Sequence, residues 1–368
     1  MVVQTELARW AEVGARIQTA RIESGVSAAA CAKHAGIDEA DVEAIERGER
    51  AVSATELASL AESLSMRMEW FFRDAPQSVI SRRQGRSTSG TVSEIDWLSE
   101  RLAREIEFVQ RIGNLKLADS PRIPFAESND AMEGAANRTR KLLGYDGFEP
   151  AQRLSAQTVR LGLLTFSLPL DDQLTDGASI MLARGGLAVV NGSHPAGRRR
   201  LTLAHEIGHY VFADEYSVDA ADSSRASREA RIDRFARALL LPVSALRREW
   251  GGSDMRTDAV RIASEYRVDM STLARRLIET NLADEGEAAF VRKTRTQRSD
   301  IESLGLVVAE ELRPPELPSA YTEAVLDLVR REQISRARCV ELLLETVGED
   351  ELPEPQPRPA EAIWSVVS

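Results

Sequence analysis

The stretch Leu203-Ala-His-Glu-Ile-Gly-His-Tyr210 decides how this chain is read. His205 and His209 stand four apart, so one helical turn stacks both imidazoles on a single face, where one metal ion can take a nitrogen from each. Glu206 follows the first histidine but is rotated off its axis. From there it reaches a metal-bound water without ligating the metal itself, the position a water-activating carboxylate requires. Leu203, Ile207 and Val211 anchor the opposite side of the helix in the core. The competing interpretation is a buried helix that carries two histidines by chance. Against it, the chain has only 4 histidines, and two of them frame the glutamate at the required spacing.

A catalytic zinc site needs three protein ligands and an open fourth position. The only two cysteines, Cys31 and Cys339, lie at opposite ends of the chain without a Cys-x-x-Cys partner and are expected to be buried and reduced. The ligands must therefore be histidine and carboxylate. Asp214, Glu215, Asp219 and Asp222 lie close by in a polar stretch without periodicity. Glu229 is the stronger candidate. It opens a helix running to Leu241, with Ile232, Phe235, Ala236, Leu239 and Leu240 on the buried side and Pro242 as its stop. Asp233 lies four residues on and faces the same way, where it can accept the free N–H of a ligating histidine and fix its tautomer. Arg200, in the run of three arginines ahead of the metal helix, and Tyr216, beyond it, are candidates for stabilising an oxyanion or contacting substrate. His194 precedes a proline in a loop and is expected outside the site.

The sequence His-Glu-Ile-Gly-His, nineteen intervening residues and Glu-x-x-x-Asp resembles the glutamate-type zincins. The fuller pattern RRRLTLAHEIGHYVF followed by REARIDRFARALLLP is similar to the ImmA/IrrE family of zinc metallopeptidases, over about residues 129 to 285. That resemblance implies Zn2+ as cofactor, with His205, His209 and Glu229 as ligands, Glu206 as catalytic base and Asp233 as the histidine's partner. It also implies a metalloendopeptidase whose substrate is a cognate transcriptional repressor, often one with its own Xre-type domain, so that cleavage releases a mobile-element or stress-response operon.

Outward from the metal helix, the pattern changes period. Leu161–Phe166, Ala178–Leu182 and Leu187–Asn191 read as short strands, punctuated by Asp176-Gly177 and Gly185-Gly186, and an amphipathic helix precedes them from about Asn129 to Leu143. An unpaired edge of this small sheet, beside the metal helix, could receive an extended substrate segment. The expected class is α+β and mostly helical. Its parts are a five-helix domain over residues 1–78, a linker and connector helix over 79–128, a zincin-like peptidase domain over 129–285, and a helical region with a proline-rich tail over 286–368. Within the second part, Ser81-Arg-Arg-Gln-Gly-Arg-Ser-Thr-Ser-Gly90 has the composition of a linker, and Glu94–Leu115 reads as the connector helix.

The first domain rests on SAAACAKHAGIDEADVEAIERGERAVSATELASLAESLSM, Ser27 to Met66. This stretch resembles the lambda-repressor-like Xre helix-turn-helix family, with the Ala-Gly-Ile turn and the Ile-Glu-Arg-Gly close of its third helix as the specific features. In such domains the second helix of the motif enters the major groove. Here Asp38 to Arg50 sets six carboxylates against Arg47 and Arg50, and carboxylates repel phosphate. DNA binding by residues 11–72 is therefore disfavoured, and a protein-contact or dimerisation role is preferred; the chain as a whole can also self-associate.

A net charge of −11 argues against general adhesion to nucleic acid. No apolar run approaches membrane-spanning length and the N-terminus carries no apolar signal segment, so a cytoplasmic protein is expected. Two other functions remain consistent with these residues. One is a DNA-binding regulator that uses the peptidase fold as a sensor. The other is a non-cleaving anti-repressor or toxin–antitoxin partner.

Overall fold

The computed structural model describes residues 2–23, 26–64, 68, 71, 79–84, 94–171, 175–213, 222–251, 254–306 and 310–354. The chain forms two compact units, Met1–Ala75 with Ser87–Trp97, and Pro76–Arg86 with Leu98–Ser368.

In the first unit, α1 (Val2–Glu23), α2 (Ala28–Ala35), α3 (Glu39–Glu46) and α4 (Ala54–Ser63) follow the apolar stripes of the sequence. The fifth expected helix would fall mostly outside the described residues. Ile17, Val42, Ile45, Leu57 and Leu60 form the buried centre, with Cys31 and Phe71 among them. Helix starts follow local chemistry. Ser27 caps α2, and Ser53 with Glu56 makes a reciprocal capping box on α4. Arg47 is held by Glu43 and Glu49, and Arg50 by Asp41 and Glu56, so both basic residues of the expected recognition segment face carboxylates of their own chain.

The Arg50 guanidinium and the Ser53 backbone N–H hold the Glu56 carboxyl at about 2. A folded-state value below the unfolded one means that this contribution is complete at neutral pH. It is lost as pH falls from the ordinary carboxylate range, near about 4, towards the folded value. Replacing Glu56 by alanine is expected to cost about 0.5–1 kcal/mol of first-unit stability at neutral pH, from the cap and a partly solvated ion pair. Denaturant melts of the full chain should show this difference at pH 7 and show it shrinking at pH 3.

The second unit is built on a four-stranded sheet in the order β1-β3-β4-β2, from β1 (Val79–Gln84), β2 (Leu163–Leu168), β3 (Thr175–Met181) and β4 (Gly186–Asn191). β2 and β4 run parallel, and β3 is antiparallel to both β4 and β1. β2 and β4 are buried at every position, and β3 at all but its last. This fits a sheet covered on both faces. The segment 79–84, assigned to a linker on composition, is thus an edge strand. Its polar sequence lacks the apolar run that marks the other three, which is why composition misplaced it.

Helices surround the sheet. α5 (Glu94–Ile112) follows the predicted connector and lies in this unit from Leu98 onward. After it come α6 (Asn129–Leu143), α7 (Leu154–Gln157), α8 (Ala196–Phe212) and α9 (Asp222–Leu240). Downstream lie α10 (Val243–Glu249), α11 (Met255–Glu265), α12 (Met270–Glu279), α13 (Glu285–Lys293), α14 (Arg298–Leu304), α15 (Ser319–Arg330) and α16 (Arg336–Leu342). One apolar core joins α6, β2, β4 and α8 to α9 through α13. The chain beyond residue 285 is bound into this unit at the other sheet edge. Ser167 on β2 exchanges two backbone hydrogen bonds with Glu316, at 2.9 and 2.8 Å, and its hydroxyl donates to the Leu312 carbonyl at 2.6 Å. None of the described helices is long and apolar enough to cross a membrane.

Candidate metal centre

α8 carries His205, Glu206 and His209 through the middle of the unit, and all three are at least 98% buried. Two glycines set how closely other elements approach this helix. At Gly208 a Cβ would lie 2.9 Å from Ile232 and 3.0 Å from Phe235, so any larger residue would push α9 away. At Gly177 a Cβ would lie 2.5 Å from the Thr202 methyl and 3.6 Å from Glu206 Cγ, so the glycine lets β3 lie directly against the helix at the glutamate. Phe212 stacks edge-on between Phe125 and Phe235, at 5.2 and 5.1 Å, and fixes the far end of α8.

With α9 at this separation, Glu229 reaches the two histidines. His205 Nε2 and His209 Nε2 lie 3.0 Å apart, and Glu229 Oε2 lies 3.3 Å from the first and 3.6 Å from the second. Zinc with tetrahedral bonds of 2.0–2.1 Å separates its ligand atoms by about 3.3 Å, so the spacing of these three donors fits such an ion. On the other side of the ring, His205 Nδ1 lies 2.9 Å from Asp233 Oδ1. Donation from Nδ1 to this carboxylate leaves Nε2 as the free lone pair, the tautomer a ligand needs.

Glu206 is oriented separately. Its Oε2 accepts the Ser179 hydroxyl at 2.7 Å, and its Oε1 is buried with no hydrogen-bond partner among the described residues. A buried carboxylate oxygen left unpaired is costly unless something polar completes it, which fits an atom that works on a water or a substrate proton. Ser179 is a residue that the sequence reading missed. It stands two positions after Gly177 on β3, so both face α8, and the run of small residues Gly177-Ala-Ser179 is the signal that was available.

The remaining sequence candidates are placed elsewhere. Arg200 is 1% exposed and donates to Glu311 and to the Ala151 carbonyl. The expectation that it contacts an oxyanion or substrate gives way to a structural role, because its guanidinium is committed to the C-terminal region. Burial pulls its pKa down, and the Glu311 carboxylate opposes that pull. Its neighbours are committed as well, Arg198 to Asp176 at 2.6 Å and Arg199 to the Gly192 carbonyl at 3.0 Å. His194 sits beside Asp176 and the Thr175 carbonyl, at 3.2 and 3.3 Å, away from the three donors. Tyr216 lies outside the described residues. Burial pushes the Tyr210 phenol well up, so it stays protonated and donates to the Leu161 carbonyl at 3.1 Å. Both thiols are free and buried, and burial raises each.

Residues 159–278 match the peptidase-family model described as the IrrE N-terminal-like domain, and residues 12–65 match the model of a helix-turn-helix domain. A comparison with curated proteins finds no match. The helix-turn-helix match takes in the second half of α1 with α2 to α4, and the peptidase match takes in β2 to β4 and α8 to α12.

Proposed function

We propose that this chain, which joins a helix-turn-helix domain to an IrrE/ImmA-like peptidase domain, is a zinc-dependent endopeptidase that cuts a regulatory protein, a transcriptional repressor with an Xre-type domain being the preferred substrate. The reading rests on one observation above the others. Three donor atoms of the types and spacing that zinc takes converge at His205, His209 and Glu229, while the buried Glu206, next to His205 on α8, has one oxygen with no hydrogen-bond partner among the described residues.

When bound, zinc supplies Lewis acidity, which lowers the pKa of water and polarises a peptide carbonyl. His205 and His209 present neutral imidazoles, with Asp233 fixing the first of them. Glu206 Oε1 takes the proton of the attacking water, and Ser179 holds Oε2 so that the carboxylate cannot swing away. The same Oε1 then delivers that proton to the amide nitrogen as the C–N bond breaks, and the new carboxyl group gives its own proton to the freed amine, yielding a carboxylate and an ammonium group. Burial of His205, Glu206, His209 and Ser179 keeps bulk water from competing for the proton.

A protein partner fits the first unit better than DNA does. Arg47 and Arg50 are each paired within the unit, so phosphate contact would have to break existing ion pairs in an acidic segment. The first unit then recognises another regulator, while the second unit acts on it.

Alanine at His205, His209 or Glu229 is expected to remove bound zinc from the full chain and cleavage with it. Metal analysis after dialysis, run beside a cleavage assay on repressors of the Xre type, tests the proposal. Full zinc occupancy in all three variants would remove the assigned ligand set.

A further inference from the structure

We infer that the outer edge of β3 is a binding site for an extended peptide, and that residues 79–84 occupy it in cis as a tethered blocking strand. The inference rests on the peptidase reading only for its consequence, which is that the chain as folded covers its own site.

Four observations carry it. First, β1 pairs along the strand that holds Glu206. Ser81 is directly opposite Ser179, the residue whose hydroxyl holds Glu206, and Arg83 is opposite Gly177, the close-approach point of β3 on α8. Second, β1 is foreign to the sheet. β2, β3 and β4 come from one continuous stretch, 163–191, within the matched peptidase region 159–278, whereas β1 ends at Gln84, far upstream and outside that match. Third, its pairing is less regular. The register of β2 with β4 and of β3 with β4 is unbroken, but that of β1 with β3 shifts twice, between Val79 and Ser81 and between Arg83 and Gln84. Fourth, the sequence Val79-Ile-Ser-Arg-Arg-Gln84 is polar and basic, unlike the buried apolar runs of β2 and β4. A strand bound mainly through its backbone needs no apolar pattern, as in recognition by strand addition. The opposite edge of the sheet, at Ser167, is taken by Glu316, so β3 is the edge on which the site opens.

A tethered strand competes with any free peptide at an effective concentration in the millimolar range. Free segments at micromolar concentration are therefore held off until β1 leaves. The ligand class that β1 points to is an extended segment with adjacent basic residues.

The test uses the full chain carrying Glu206→Gln, so that no peptide is cut, and a fluorescent peptide of sequence Val-Ile-Ser-Arg-Arg-Gln as probe. Two variants disrupt β1. One is Arg82→Pro with Arg83→Pro, which removes backbone donors from both sides of the strand. The other replaces residues 79–84 by a Gly-Ser repeat. Both are expected to bind the probe at least tenfold more tightly than the parent. Backbone amides of Thr175–Met181 should exchange faster in the variants and regain protection when probe is added. Equal binding by parent and variants, or none by either, would overturn the inference. So would loss of helical circular dichroism in the Gly-Ser variant, which would make β1 a structural strand. A β1 variant that gains probe binding in the Glu206→Gln background, yet cuts no repressor once Glu206 is restored, keeps the blocking strand and removes the peptidase reading. One that cuts but shows no gain does the reverse.

Discussion

Replacing Glu206 by glutamine is expected to lower repressor cleavage by roughly 10²- to 10⁴-fold, the usual weight of a positioned general base, while zinc occupancy stays that of the parent. Glutamine matches glutamate in shape, and its amide oxygen can still accept from the Ser179 hydroxyl. What it lacks is a group that accepts a proton and gives it back. Because Glu206 is not one of the three converging donors, its loss should appear in kcat and leave both KM and metal affinity near the parent values. Zinc lost together with activity would move Glu206 into the ligand set. Undiminished cleavage would leave the chain without its assigned base.

The second large effect is on stability. Glu311→Ala is expected to destabilise the second unit by about 3–5 kcal/mol, the range for removing one partner of a buried ion pair. Glu311 receives the Arg200 guanidinium, the Arg267 guanidinium at 3.1 Å and the Leu154 backbone N–H, and Arg200 is 1% exposed. Without the carboxylate, Arg200 keeps, among the described residues, the Ala151 carbonyl as hydrogen-bond partner for a buried charge whose pKa burial already depresses. Replacing both partners by apolar residues, as Arg200→Met with Glu311→Leu, should recover part of the loss, since the buried Arg200 charge goes with its partner while Arg267 and the Leu154 N–H stay without the carboxylate. Denaturant melts followed by helical circular dichroism distinguish these outcomes. A Glu311→Ala chain as stable as the parent would show that the C-terminal region contributes little to holding the second unit together.

Much of this arrangement could be read along the chain, and what could not has physical reasons. The metal helix was legible because a four-residue repeat of histidine around glutamate has few structural explanations. The strands at 163–168 and 186–191 were legible because burial on both faces requires continuous apolar runs. The crossing of α8 and α9, which brings Glu229 within 3.3 Å of His205, was hidden in a single glycine, Gly208. Its spacing follows from the absence of a side chain, and that leaves no periodicity to detect.

Other features escaped for reasons of the same kind. Ser179 is one hydroxyl in a short strand, and nothing local tells that it faces Glu206 rather than a neighbouring strand. Arg200 looked like a substrate contact because it precedes the site in sequence, yet its partner Glu311 lies 111 residues away. β1 has the composition of a linker because this polar, basic segment lacks the apolar run that marks β2 and β4. In each case the deciding partner is distant in the chain.

The central claim is that the second unit hydrolyses a peptide bond. The most direct measurement incubates the zinc-loaded full chain, with and without the Gly-Ser replacement of residues 79–84 that frees the β3 edge, with an Xre-type repressor in water enriched in heavy oxygen and weighs the products by mass spectrometry. Two repressor fragments are expected, the N-terminal one carrying solvent oxygen in its new carboxyl group, and neither fragment with Glu206→Gln. An intact, unlabelled repressor recovered in stable complex with the zinc-loaded chain would contradict it and leave a binding protein in place of an enzyme.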